Sequence, residues 1–292
     1  MAEAERLLGL SIIGMLGGGV YGLMAVGLSL QVGVCRVLNI THGEFVMLGA
    51  VLTFVLSQLG INPLVAPVIL GPLLFGLGFL LQATLFRAVK ARARSPEAFE
   101  GNALLVAFGL MYIISNIAQI RIGVASLPSH YLTSSVSFLG VNIPLNLIVG
   151  FAIAAVLGIG LYLFLTRSRL GRAIRATAED QPTAELMGVN TKTILAVCFG
   201  LGALLAAVAG TLISLRTDVN TGIGFNNTVI ALVIVTLGGL GSVPGSFIAG
   251  IIIGIVSMLV AGLWESILIV PVYYAMLMVL LLVRPSGILG KK

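Results

Sequence analysis

Three polar side chains open the second apolar stretch of this 292-residue chain. They are Arg36, His42 and Glu44, with Asn39 between them, in the run VCRVLNITHGE. Ionisable groups at the end of an apolar run are costly unless they pair or line a wet path. Glu44 could receive the ammonium of a zwitterion, or it could pair with Arg36, and the pair is the favoured reading. His42 before Gly43 could instead bond a free carbonyl at a helix break. A second candidate is the glycine-rich run from Gly238 to Gly245, with Gly239, Gly241 and Gly245 in it. Broken helices can turn backbone amides toward a substrate carboxylate, and close helix packing explains such glycines equally well.

A third candidate is the polar stretch 167–192, RSRLGRAIRATAEDQPTAELMGVNTK. It predicts a short helix. Asp180 is a good N-cap, Pro182 falls in the first turn, and Gly188 can close the helix left-handed. Glu179, Asp180, Glu185, Leu186, Met187 and Gly188 would then form a tip, with apolar Leu186, Met187 and Val189 in a polar loop. Such a tip suits a protein contact on the cytoplasmic side. The plainer reading is a basic loop that only fixes topology.

Other chemistry is missing from the sequence. Cys35 and Cys198 flank or occupy apolar runs, and His42 and His130 are far apart, so neither disulfide nor metal spacing is present. No catalytic constellation and no phosphate-binding loop of the Walker type occurs. No cofactor is expected, and any ATP that drives this chain must bind elsewhere.

The elements that position these residues are membrane spans. The chain is 59% hydrophobic and 9% charged, against about 25% charged in soluble domains. The reading is an all-α polytopic protein of one domain, 1–292, embedded in a lipid bilayer. The net charge of +6 lies in loops between spans, with no basic face for nucleic acid. Acidic Glu3 and Glu5 argue that the first apolar run is retained rather than cleaved.

Spans are predicted at 7–33, 44–59, 63–86, 102–120, 144–166, 193–215 and 266–283. Residues 228–262 form a hairpin or two short helices around the glycine break. The total is about eight or nine crossings. Gly14, Gly18 and Gly22 make a small-residue row for close helix contact, inside the chain or between subunits. Basic residues gather in 87–100, in 167–192 and at the C-terminus, so those segments are cytoplasmic and the N-terminus lies outside. The polar stretches 121–142 and 216–227 are outside. The echo of HGEF at 42–45 in PGSF at 244–247 suggests a parallel internal repeat with both breaks at similar depth.

Three runs in order, GLSLQVGVCRVLNITHGEFVMLGA, GRAIRATAEDQPTAELMGVN and VTLGGLGSVPGSFIAGIIIG, resemble the branched-chain amino-acid ABC permeases of the LivH type. The resemblance implies a bacterial inner-membrane importer. It implies a second, homologous permease of the LivM type, two cytoplasmic ATPases that bind the ATP, and a periplasmic binding protein facing 121–142 and 216–227. Residues 179–188 would be the coupling helix, and Asn39, His42, Glu44 and the glycine break would lie near a path opened by alternating access. The family also includes importers of urea, amides and other amino acids. A stand-alone channel or ion-coupled carrier is the competing class, though such a carrier would more often show several intramembrane carboxylates.

Overall fold

A chain this apolar must satisfy its backbone within each segment, and helices do so. The computed structural model describes residues 2–123, 126–128, 131–138, 141–284 and 286–290. His130, Pro285, Lys291 and Lys292, which enter the histidine and charge arguments, lie outside these.

Helix α1, Ala2–Leu30, continues through a π-helical turn, Gln31–Cys35. It stops where Arg36 takes a left-handed φ of 52°. After an irregular stretch come α2, His42–Gln58, and α3, Ala66–Leu81. A second π-helical turn joins α3 to α4, Arg87–Arg92, and α5 spans Pro96–Ile122. The basic segment 87–100 is therefore mostly helix rather than loop. Its Ala, Lys, Arg and Glu are good helix formers, and Ser95 caps α5 by accepting from the Ala98 amide.

A short antiparallel hairpin, Ser135–Phe138 with Val141–Pro144, interrupts the otherwise helical fold. Then follow α6, Leu145–Arg167, α7, Arg169–Glu179, and α8, Gln181–Leu186. The last four are α9, Thr191–Ser214, α10, Ile223–Gly238, α11, Val243–Leu263, and α12, Ile269–Val283. Among the described residues seven helical stretches are long and apolar enough to cross a membrane, and α2 and α10 are shorter apolar helices. The segment 228–262 is thus a pair of helices hinged at the glycines.

The glycine row on α1 packs inside the chain. A methyl on Gly14 would lie 2.7 Å from the Gly254 carbonyl oxygen, and one on Gly18 would lie 2.7 Å from that of Gly250. The two backbones therefore touch, as small-residue rows permit. Helix α9 is the central post, buried along most of its length. Its Ala203 meets Gly78 of α3, and Ala207 and Gly210 meet α2 at Gly49 and Val46.

Helix ends sort by charge. Arg36, Lys90, Arg94, Glu100, Glu179 and Asp180 line one cavity of about 690 Å³, and Arg87 and Arg92 of α4 with Arg169, Arg172 and Arg175 of α7 make this the basic end. Arg216 lies at the opposite end of α9, over the ring of Tyr21.

Candidate functional site: a polar break inside the bundle and a capped helix at its basic end

The irregular stretch after Arg36 brings polar groups into the core, and most of them are fully used. Gln31 is the hub. Its Nε2 donates to the Phe199 carbonyl at 3.0 Å, and its Oε1 accepts from Asn39 Nδ2 at 3.0 Å. His42 Nδ1 lies 3.3 Å from the same oxygen, and His42 Nε2 lies 3.0 Å from the Met24 carbonyl. Asn39 Oδ1 accepts from the Thr41 amide, and the Thr41 hydroxyl donates to Ala107 O. Gln31, Asn39, Thr41 and His42 are all completely buried.

This network holds a non-helical stretch inside the bundle by satisfying its buried groups. Asn39 and His42 are therefore clamps, with no free face. Sequence reading missed Gln31; its signal was a lone amide inside an apolar span. Gln31→Leu should lower the melting temperature sharply. It strips partners from Asn39 and the Phe199 carbonyl, at about 1–3 kcal/mol for each group left unsatisfied. A thermal melt of the detergent-solubilised protein measures this.

Glu44 is different. It is 2% exposed, and its Oε2 has no hydrogen-bond partner. Its carboxyl lies over Gly224 in the first turn of α10. Thr228 of α10 ties the two helix starts together: its hydroxyl donates to Ile40 O at 2.8 Å and accepts from the Gly43 amide at 2.9 Å. Glu44 thus sits in the first turn of one helix beside the first turn of another, where a negative charge is favoured. The expected pair with Arg36 does not form. The left-handed turn at Arg36 sends its side chain to the basic-end cavity with Asp180, while Glu44 faces a separate cavity with Phe108, Met111 and Tyr112.

The glycine break lies elsewhere. Gly239 donates its amide to Val235 O, and Gly245 donates to Ser242 Oγ. The carbonyls of Leu237 and Gly238 accept from Ile288 and Leu289. Gly241 packs on Gly33, nine residues along α1 from the Met24 carbonyl that His42 meets, or about 13 Å at helical rise. The Gly239 and Gly245 amides, two of those expected to face a substrate, are therefore spent within the turn.

At the basic end the short helix forms as its sequence predicts. Asp180 accepts from the Thr183 amide and hydroxyl, which hold its carboxyl below the usual range. Gly188 closes the turn at φ +85°, and Ala184 is buried. Leu186 and Met187 are 87% and 81% exposed. Val189 instead packs against the core, and Glu185 is tied back to Thr191. The preceding helix α7 is amphipathic, with Gly171, Ile174 and Thr177 buried. Gln181 anchors α8 by accepting from Lys90 Nζ at 2.6 Å and donating to Val34 O at 3.3 Å.

The comparisons with known proteins agree with this architecture. A family model described as the branched-chain amino acid transport system permease component matches residues 11–284. The high-affinity branched-chain amino acid transport system permease protein BraD of Pseudomonas aeruginosa is 30% identical over 301 residues, covering 100% of this chain and 98% of its own. LivH of Escherichia coli is 32% identical over 290 residues, 94% of this chain and 92% of its own. A probable LivH of Methanocaldococcus jannaschii is 27% identical over 243 residues, 82% and 76% respectively. No solved structure gives a significant match. With a family model spanning nearly its whole length and full-length relatives at this identity, the chain is a multi-pass membrane protein that belongs to the branched-chain amino acid transport permeases.

Proposed function

We propose that this chain is a membrane-spanning subunit of an ATP-driven importer for branched-chain or related amino acids. It works with a second, homologous permease, two cytoplasmic ATPases and a periplasmic binding protein. The observation that carries the reading is α8, a capped helix at the basic end with two large apolar side chains turned outward. Family membership supports the rest: the relatives named above are transport permeases, and the sequence has no phosphate-binding loop of its own.

The basic end faces the cytoplasm, because positive residues favour that side. The N-terminus is then outside and the C-terminus inside. ATP closes the ATPase pair and moves α8. Gln181 passes the motion to the end of α1 and to α4, and the paired permeases rock in alternating access. Glu44, at the end of the polar break, lies along the path, and Asn39 and His42 hold the break that positions it.

The test is co-expression with the neighbouring permease and ATPase genes. ATPases that co-purify with this subunit, and ATP-driven L-leucine uptake into proteoliposomes supplied with the binding protein, are the expected results. Uptake by this subunit alone, without ATP, would overturn the proposal in favour of a stand-alone carrier.

A further inference from the structure

We propose that the Glu44 carboxyl receives the ammonium group of the transported solute, in a cavity completed by the second permease subunit. This deepens the importer reading and rests on it.

The cavity holds about 300 Å³ and is lined by Glu44, Phe108, Met111, Tyr112, Ser115 and Phe225, with Gly222 at its edge. That is at the small end of ligand pockets, which run from about 300 to 1,000 Å³. One wall is a carboxyl with an unused oxygen. Ser115 adds a hydroxyl, and the remaining side chains are aromatic or a thioether. This division suits a molecule with a cationic head and a short apolar body, as in an aliphatic amino acid. A charged group inside a membrane protein is costly and is met by a partner or by water. Here the buried residues around Glu44 offer no cation, because Arg36 lies at the basic end.

The chain does not close the cavity alone. Tyr112 is 61% exposed and Phe225 49% exposed. Lipid on this face would bring hydrocarbon up to an unpaired carboxyl. The groove between α3 and α6 is a contrast, lined by apolar residues such as Val68, Pro72, Val156 and Leu204, and suits acyl chains. The α5–α10 face is therefore the one the second permease covers, with the solute passing between the two subunits.

Ser115→Cys tests this in the purified permease–ATPase complex. Cys35 and Cys198 are buried, so the unsubstituted protein supplies the blank. The new thiol should react with aminoethyl methanethiosulfonate faster than with its sulfonatoethyl counterpart. Glu44→Gln should cut that cation preference about tenfold, the scale of one nearby charge partly screened by water, and Glu44→Asp should restore it. In the Glu44 protein, isoamylamine should slow the cationic labelling while isovalerate does not. Should Glu44→Gln fail to accumulate, this competition decides alone. A thiol that neither reagent reaches, a preference indifferent to Glu44→Gln, or equal effects of the amine and the acid would overturn the proposal. Failure of the importer reading would show separately, as absence of ATP-driven L-leucine uptake by the unsubstituted complex, since labelling needs neither ATP nor a binding protein.

Discussion

Gly18→Val is expected to leave almost no folded permease, while Gly160→Ala leaves the protein unchanged or slightly more stable. At Gly18 even a single methyl would lie 2.7 Å from the Gly250 carbonyl oxygen and 2.8 Å from the Ile251 Cα. These are backbone atoms of α11, which cannot move aside as a side chain can. The neighbours on the row are equally tight: a methyl on Gly22 would lie 2.8 Å from the Phe247 carbonyl oxygen. Relief at Gly18 therefore requires prising α1 from α11 along several turns. Overpacking typically costs about 1–3 kcal/mol, and a rigid obstacle puts this site at or above the upper end. At Gly160 of α6 nothing lies within 4 Å of an added methyl, and alanine gains about 1 kcal/mol of helix propensity over glycine. Fluorescence-detected gel filtration before and after heating measures both. A monodisperse Gly18→Val protein with an unshifted melting temperature would mean that α1 and α11 are not in backbone contact.

The row behind that contact was legible because its small residues repeat every four positions, a local rule, while its partner, inside the chain or on another subunit, was left open. So was α8, whose cap, proline and closing glycine lie within nine residues. The helix before it, α7, was hidden by charge. Its three arginines suggest a solvated loop, yet Ser168 caps it by accepting from the Gly171 amide and Ile174 is buried beneath it. The Arg36–Glu44 pair failed for a backbone reason: eight residues of separation says nothing about direction, and one left-handed residue parted the two side chains. The glycine break was located correctly along the chain, but not the segment that packs on it. What occupies its carbonyls is the segment after α12, more than forty residues later. No local pattern announces that contact, nor the one between Glu44 and Gly224.

Changing Leu186 and Met187 together to arginine is expected to detach the ATPases and reduce ATP-driven L-leucine uptake at least about a hundredfold, with the permease still folded. Both side chains project into solvent, so their loss removes no packing within this chain. If they are the anchors of a docking surface, each would contribute roughly 2 kcal/mol or more to binding. Together that is about 4 kcal/mol, or nearly a thousandfold in affinity, before repulsion from basic groups already at this end. Ala184→Arg gives the contrasting result. Ala184 is buried, so arginine there should disrupt α8 itself and lower the melting temperature as well as uptake. The comparison separates a lost contact from a lost helix. ATPases that remain bound to the double variant, with uptake intact, would move the contact to another part of the basic end, and α8 would then serve only to close the cavity beside Arg36 and Lys90.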